Sequence, residues 1–220
     1  MRAIVFGATG MVGQGVLREC LIDPAVDKVL AVGRGPSGKQ DPKLQDLVLK
    51  DLCDYSAVEE QLKGYDACFF ALGVTSAGLD EAQYTKITYD IAAAAGAVLA
   101  RLNPGMTFVF VSGRGADSTG TSKTMWARVK GKAENAIFAL PFKASYAVRP
   151  AMIESRHGAT SRTRSYRVLY FFLRPLVPVL RALFPASVTN TEHLGKVMIK
   201  LARDGYPKKI LESADINEVH

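Results

Sequence analysis

The stretch Arg2-Ala3-Ile4-Val5-Phe6-Gly7-Ala8-Thr9-Gly10-Met11-Val12-Gly13 decides how this chain is read. After Arg2 the run to Phe6 is apolar and of strand length, the pattern of a parallel strand buried on both faces. From Met11 to Ile22, the residues Val12, Val16, Leu17, Cys20 and Leu21 recur at helical spacing until Asp23-Pro24 stops them. Between strand and helix stand Gly7, Gly10 and Gly13. A turn that reverses sharply, lets a pyrophosphate approach the backbone and seats the helix on the sheet needs residues without a Cβ there. The helix N-terminus then offers unpaired N–H groups and a positive dipole end to the phosphates. The stretch predicts a dinucleotide-binding turn of Rossmann type, with Thr9, Met11 and Val12 among its contacts.

Working outward, strand-like and helical runs alternate. Strands are expected at 28–32, 47–49, 67–71, 107–111 and 145–148, and helices at 57–63, 80–102 and 124–140. Six strands with crossovers between them imply an α/β fold, a doubly wound parallel sheet with helices on both faces. Past Arg149-Pro150 the pattern changes to a basic loop, helical stretches at 165–183 and 191–203, and a short strand at 209–211. No repeat, low-complexity tract or linker divides the chain. A single domain is expected, with residues 1–150 as the core and 151–220 as a helical substrate or lid region.

A length of 220 residues suits one buried core, and the net charge of +7 is a modest basic excess. No dense Lys/Arg run with interleaved aromatics appears, so nucleic acid is not an expected partner. Cys20, Cys53 and Cys68 have neither disulfide nor zinc spacing, and no metal site is expected. With a strand beginning at Arg2, no signal peptide is read, and a reducing cytoplasm fits the thiols. The most apolar stretch, 168–184, is broken by Arg174, Pro175, Pro178 and Arg181, which excludes a transmembrane helix there.

At the end of the second strand stands Gly33-Arg34, where an NAD-preferring protein places a carboxylate against the ribose 2′-hydroxyl. A guanidinium can pair with a 2′-phosphate instead, so NADP(H) is favoured over NAD(H) as cofactor.

The G-x-x-G-x-x-G spacing with Thr9 before the second glycine resembles the loop of the short-chain dehydrogenase/reductase superfamily. It is most similar to the extended and atypical branches, which include epimerase/dehydratase-like, NmrA-like and Tat-interacting-protein-like proteins. The resemblance covers 1–150 well and the rest loosely. It implies that Asp51-Leu52 lies beside the adenine, although Asp51 read by itself is equally a loop or capping acid. It further implies that Ala71-Leu72-Gly73-Val74 covers the adenosine ribose, and that Arg149-Pro150 turns beside the nicotinamide.

The superfamily's reductases carry Tyr-x-x-x-Lys on the helix after the fifth strand and a serine at that strand's end. The ammonium lowers the phenol pKa so that tyrosine passes a proton, and it also holds the nicotinamide ribose, while serine orients the substrate carbonyl. Here Ser112 and Lys130 stand in the serine and lysine places, and Trp126 stands where tyrosine belongs. An indole has no accessible pKa and relays no proton. Three readings stay open: another donor (Thr75, Ser76, Tyr84, Tyr89 or Ser122), chemistry that needs no protein acid, or binding without turnover. The expected function is accordingly an oxidoreductase for an apolar carbonyl or quinone, with a non-catalytic NADP(H)-binding redox sensor or regulator as the alternative.

In the last third, Glu154-Ser155-Arg156-His157, Arg162, Arg164 and Arg167 either meet an anion or form a solvated surface. The stretch 168–184 is read as a pocket wall, a homodimer contact, a peripheral membrane contact or core packing.

Overall fold

Ala3 and Val5 face one side of a central sheet, and Ile4 and Phe6 face the other; all four are fully buried. That two-residue alternation within a continuously apolar strand is what a sheet covered on both faces requires. The computed structural model describes residues 1–159 and 185–219. Its strands are β1 (Arg2–Phe6), β2 (Lys28–Gly33), β3 (Leu44–Val48), β4 (Ala67–Phe70), β5 (Thr107–Val111), β6 (Ala144–Arg149), β7 (Met152–Glu154), β8 (Val188–Asn190) and β9 (Ile210–Glu212). Its helices are α1 (Met11–Ile22), α2 (Glu81–Thr85), α3 (Ile91–Leu102), α4 (Met125–Phe138), α5 (Thr191–Asp204) and α6 (Ser213–Glu218).

Seven strands form one parallel sheet in the order β3-β2-β1-β4-β5-β6-β9. The chain winds outward from β1 in both directions, so the crevice beyond the carboxyl ends of β1 and β4 is the switch point where such sheets take ligands. On one face, Val16, Leu17 and Cys20 of α1 and Leu194, Val197 and Met198 of α5 cover Ala3, Val5 and Val109. On the other, α3 and α4 lay Ala95, Leu99 and Ile137 on a row of phenylalanines. Within that row Phe6 and Phe70 have ring centroids 5.2 Å apart, and Phe70 lies 5.7 Å from Phe110. Each such buried ring contributes about 1.5–3 kcal/mol.

Four differences from the sequence reading have local causes. The third strand runs over Leu44–Val48 and not 47–49, because an edge strand shows alternating exposure and lacks a continuous apolar run. The expected helix at 57–63 is only a 3-10 turn, Glu59–Leu62, since only Val58 and Leu62 of that stretch meet the core and Gly64 follows at φ +74°. The expected 80–102 helix starts on a capping box between Asp80 and Gln83 but is interrupted by a π turn, Lys86–Asp90. There, Ile87, Thr88 and Tyr89 are weak helix formers. Finally, β7 and β8 pair as a separate parallel two-stranded sheet that the sequence did not announce.

Of the segment 151–220, residues 185–219 build scaffold: β9 extends the sheet beside β6, and α5 lies along α1. Gly15 and Gly195 set that closeness. A Cβ on Gly15 would stand 2.6 Å from Thr191, and one on Gly195 2.7 Å from Glu19. The expected helix 165–183, the arginines at 162, 164 and 167, and the apolar stretch 168–184 lie outside the described residues.

Candidate functional site

At the switch point the chain turns on Gly7, whose φ of +78° L side chains rarely adopt. A Cβ there would stand 2.7 Å from the Ala71 carbonyl and from Leu72, so β4's end presses directly on the turn. A Cβ on Gly13 would fall 2.0 Å from the Gly7 carbonyl. The turn is closed by Gly10 N donating to the Gly7 carbonyl at 2.8 Å, and Gln14 Nε2 donates to the Thr9 carbonyl at 3.0 Å. Gly10 caps α1 with no side chain, and no acid occupies the first helical turn. The N–H groups of Met11, Val12 and Gly13 are thus left to an anion, which fits a pyrophosphate.

Around this cradle the other sequence candidates line the carboxyl edge. Arg34 is exposed at the end of β2, with no partner among the described residues. The loop behind it is tied down by Asp46, which accepts from Ser37 N at 3.0 Å and Ser37 Oγ at 3.1 Å. Asp51 is exposed and accepts from Cys53 N at 2.9 Å, the bond of a loop-turning acid. Leu52 is 3 % exposed with its side chain in the core, which leaves its backbone to face a ligand. Ala71 and Leu72 are half-buried against Gly7, and Gly73 is exposed beyond them.

The second half of the site lies at the end of β5. Ser112 continues that strand and donates its N–H to the Val148 carbonyl at 2.8 Å. Its hydroxyl is buried and has no hydrogen-bond partner among the described residues. Lys130, from α4, reaches the same place: Nζ lies 3.4 Å from the Val111 carbonyl and 5.7 Å from the Phe110 ring centre. Burial pushes the Lys130 ammonium down to about 8, opposed by Glu134 one helical turn away. Trp126 is half-buried along Gly115, where a Cβ would stand 3.4 Å from Cη2. Fold and loop together bring Ser112, Lys130 and Trp126 to one strand end.

The loop after β5 is tied together by Asp117. Asp117 accepts from Thr119 N at 2.9 Å, Thr119 Oγ1 at 2.6 Å and Ser122 N at 2.6 Å. Its carboxyl is held down to about 2 by these bonds. The loop lies so close to α4 that a Cβ on Gly131 would stand 1.8 Å from the Asp117 carbonyl.

Arg149 is placed differently from its expected role beside the nicotinamide. Its guanidinium is taken by Glu134 (Nε to Oε1 2.9 Å, Nη2 to Oε2 2.5 Å), Glu212 at 3.1 Å and Ser118 Oγ at 2.9 Å. With every nitrogen so engaged, only its backbone and that of Pro150 face the site. Sequence reading missed Glu134, although its position four residues after Lys130 was a usable signal. It also missed Thr88, buried in the π turn with a hydroxyl that has no partner among the described residues, for which the sequence held no signal. Among the alternative donors, Thr75 and Ser122 hydroxyls accept backbone N–H bonds, and the Tyr89 ring lies 4.2 Å beneath the Lys132 ammonium. Tyr84 is buried, 2 % exposed. His157, at φ +54°, pairs with Glu192 at 2.8 Å as a loop histidine.

A glycine cradle at the switch point of a doubly wound sheet, with a serine and a lysine at the next strand's end, defines an NAD(P)H-binding Rossmann protein. The chain belongs to the NAD(P)H-binding family, matched over residues 7–165. It is similar to Protein FMP52-1, mitochondrial, of Scheffersomyces stipitis, at 28% identity over 232 residues covering 100% of this chain and 99% of that one. It is 31% identical over 216 residues to Protein FMP52-2, mitochondrial, of the same organism, with 96% and 90% covered. Among solved structures it resembles the Bordetella bronchiseptica enzyme WbmF in complex with NAD+, with a TM-score of 0.69 and 15% identity over 98% of this chain and 76% of that one. The likeness to WbmF shows the fold. The names of the two relatives correct the cytoplasmic expectation, since both are mitochondrial proteins. Cysteines without disulfide spacing do not single out the cytoplasm.

Proposed function

We propose that this protein is an NADP(H)-dependent oxidoreductase acting on an apolar carbonyl- or quinone-type substrate at Ser112 and Lys130. The observation that carries the reading is the buried, unpartnered Ser112 hydroxyl beside a desolvated Lys130 at the end of β5. A buried hydroxyl without a partner is costly unless a ligand completes it, and a carbonyl oxygen does so. Gly7, Gly10 and Gly13 hold the pyrophosphate, Arg34 takes the 2′-phosphate, and the strand ends Asp51-Leu52 and Ala71-Leu72-Gly73 flank the adenosine. The reduced nicotinamide, when bound, supplies hydride. Ser112 orients the accepting carbonyl, and Lys130 places positive charge beside it.

The test is oxidation of NADPH and NADH in the presence of quinones, aldehydes and ketones, with Kd for each dinucleotide measured separately. Turnover with NADPH preferred over NADH supports the reading. Tight NADPH binding with no turnover on any acceptor supports a second one, a redox-sensing regulator, which Trp126 in the tyrosine place favours.

A further inference from the structure

We propose that Lys130 is itself the proton donor of this site, its ammonium taking over the task that a tyrosine at position 126 would perform. The inference rests on the oxidoreductase reading above and names the acid that reading leaves unassigned. Its grounds are positional. Among the described residues Lys130 Nζ makes one hydrogen bond, 3.4 Å to the Val111 carbonyl at the carboxyl end of β5, next to a Ser112 hydroxyl that has no partner among them. An ammonium has three N–H donors, so at least two are available to a ligand seated there.

The groups packed around Lys130 leave it in this state. From its own helix, Glu134 is the one charged group acting on it, and that carboxylate is already bound by Arg149 of β6 and by Ser118 Oγ at 3.1 Å. From α2 and the π turn, the buried members are Tyr84 and Thr88, neither of them a carboxylate. From the loop after β5, Asp117 spends its oxygens on Thr119 and Ser122. β5 presents a carbonyl and the face of Phe110. With Glu134 committed to Arg149 and no other counter-ion among the described residues, burial holds the Lys130 ammonium down to about 8, within the range an efficient general acid needs. Serine and threonine hydroxyls are far too weak as acids, and indole does not ionise.

The step balances. Hydride from the reduced nicotinamide adds to the carbonyl carbon, and the C=O π pair moves to oxygen. That oxygen takes a proton from the Lys130 ammonium. The products are an alcohol, oxidised dinucleotide and a neutral Lys130 amine, which regains its proton from solvent.

Two measurements test this. The first needs no turnover: an NMR titration of 15Nζ-lysine-labelled protein, with the Lys130 signal identified by its loss in Lys130→Arg. One lysine with a midpoint near pH 8 is expected, and a Lys130 signal titrating with the surface lysines, above about 10, overturns the proposal. The second is reduction of 9,10-phenanthrenequinone and 4-nitrobenzaldehyde by NADPH. Lys130→Arg keeps a cation but not a usable acid, so kcat falls at least about 100-fold while NADPH Kd stays within about threefold. Adding Trp126→Tyr to Lys130→Arg supplies a phenol and recovers at least about tenfold. Unchanged kcat in Lys130→Arg overturns the proposal, as does a like loss in Tyr84→Phe with Lys130→Arg unaffected. No turnover by the wild-type protein on either acceptor overturns both this proposal and the reading beneath it.

Discussion

Arg149 grips Glu134 with two prongs, Nε to Oε1 at 2.9 Å and Nη2 to Oε2 at 2.5 Å, and Glu134 is fully buried. The pair ties the end of β6 to the middle of α4, and through Glu212 and Ser118 it also reaches the end of β9 and the loop after β5. It neutralises the carboxylate that stands one turn from Lys130. Scaffold and site chemistry therefore share one ion pair.

Removing one partner of a buried pair costs more than removing both, because the survivor is left charged in the interior. Arg149→Met is expected to destabilise the protein by about 3–5 kcal/mol, and Arg149→Met with Glu134→Gln by distinctly less. Urea unfolding of the two single variants and the double variant checks this. The freed Glu134 carboxylate also raises the Lys130 pKa, so the NMR midpoint of Lys130 moves upward in Arg149→Met and downward in Glu134→Gln.

The glycine cradle gives a steric prediction with its own control. Gly13→Ala places a methyl 2.0 Å from the Gly7 carbonyl, whereas nothing lies within 4 Å of a methyl on Gly35. The first change is expected to cost about 1–3 kcal/mol by overpacking and to weaken dinucleotide binding at least about 100-fold, since the turn must open. The second stays within about 0.5 kcal/mol with unchanged binding. Thermal unfolding and fluorescence titration with NADPH measure both.

How much of this was legible follows from the range over which each signal acts. The cradle, β1 and α1 were readable because glycine spacing and apolar period are local properties of one stretch. Ser112 and Lys130 were readable because strand end and helix turn fix them within a few residues of a boundary. Arg149 was legible only as a position: its true partners, Glu134 and Glu212, are 15 and 63 residues away, and only the sheet order β5-β6-β9 brings them together. Thr88 was invisible because a π turn inside a helix leaves no period to detect. The β7–β8 pair was missed because three-residue strands carry no alternation to count.

Acid acts on two carboxyls held near pH 2. Asp117 is lowered chiefly by Thr119 and Ser122, and Glu192 by Lys196 and His157. A depressed folded pKa gives stability that is complete above the unfolded carboxyl value, near pH 4, and is lost as pH falls through the folded value. Hydrogen exchange at 117–122 and around 157 and 192 is therefore expected to be flat from pH 7 to about 4.5, then to accelerate toward pH 2 after correction for intrinsic rates. Asp117→Asn removes most of that acid dependence at 117–122 and leaves the 157–192 contact as it was.

The choice between dinucleotides comes down to Arg34. Its guanidinium is exposed at the end of β2, with no acid bonded to it among the described residues, so it is available to a 2′-phosphate. A phosphate adds charge-assisted hydrogen bonds that a 2′-hydroxyl does not. Exposure to water limits their worth, and a tenfold ratio of Kd values, about 1.4 kcal/mol, is the scale expected. Arg34→Asp is expected to weaken NADPH at least about tenfold, because it replaces attraction by repulsion, while NADH binding changes by less than about threefold. Calorimetric titration of both dinucleotides at low and high salt is the measurement. The NADPH difference should shrink with salt, as an exposed ion pair is screened. Equal weakening of NADPH and NADH would mean that Arg34 holds the loop between β2 and β3, and the 2′-phosphate would then need another partner.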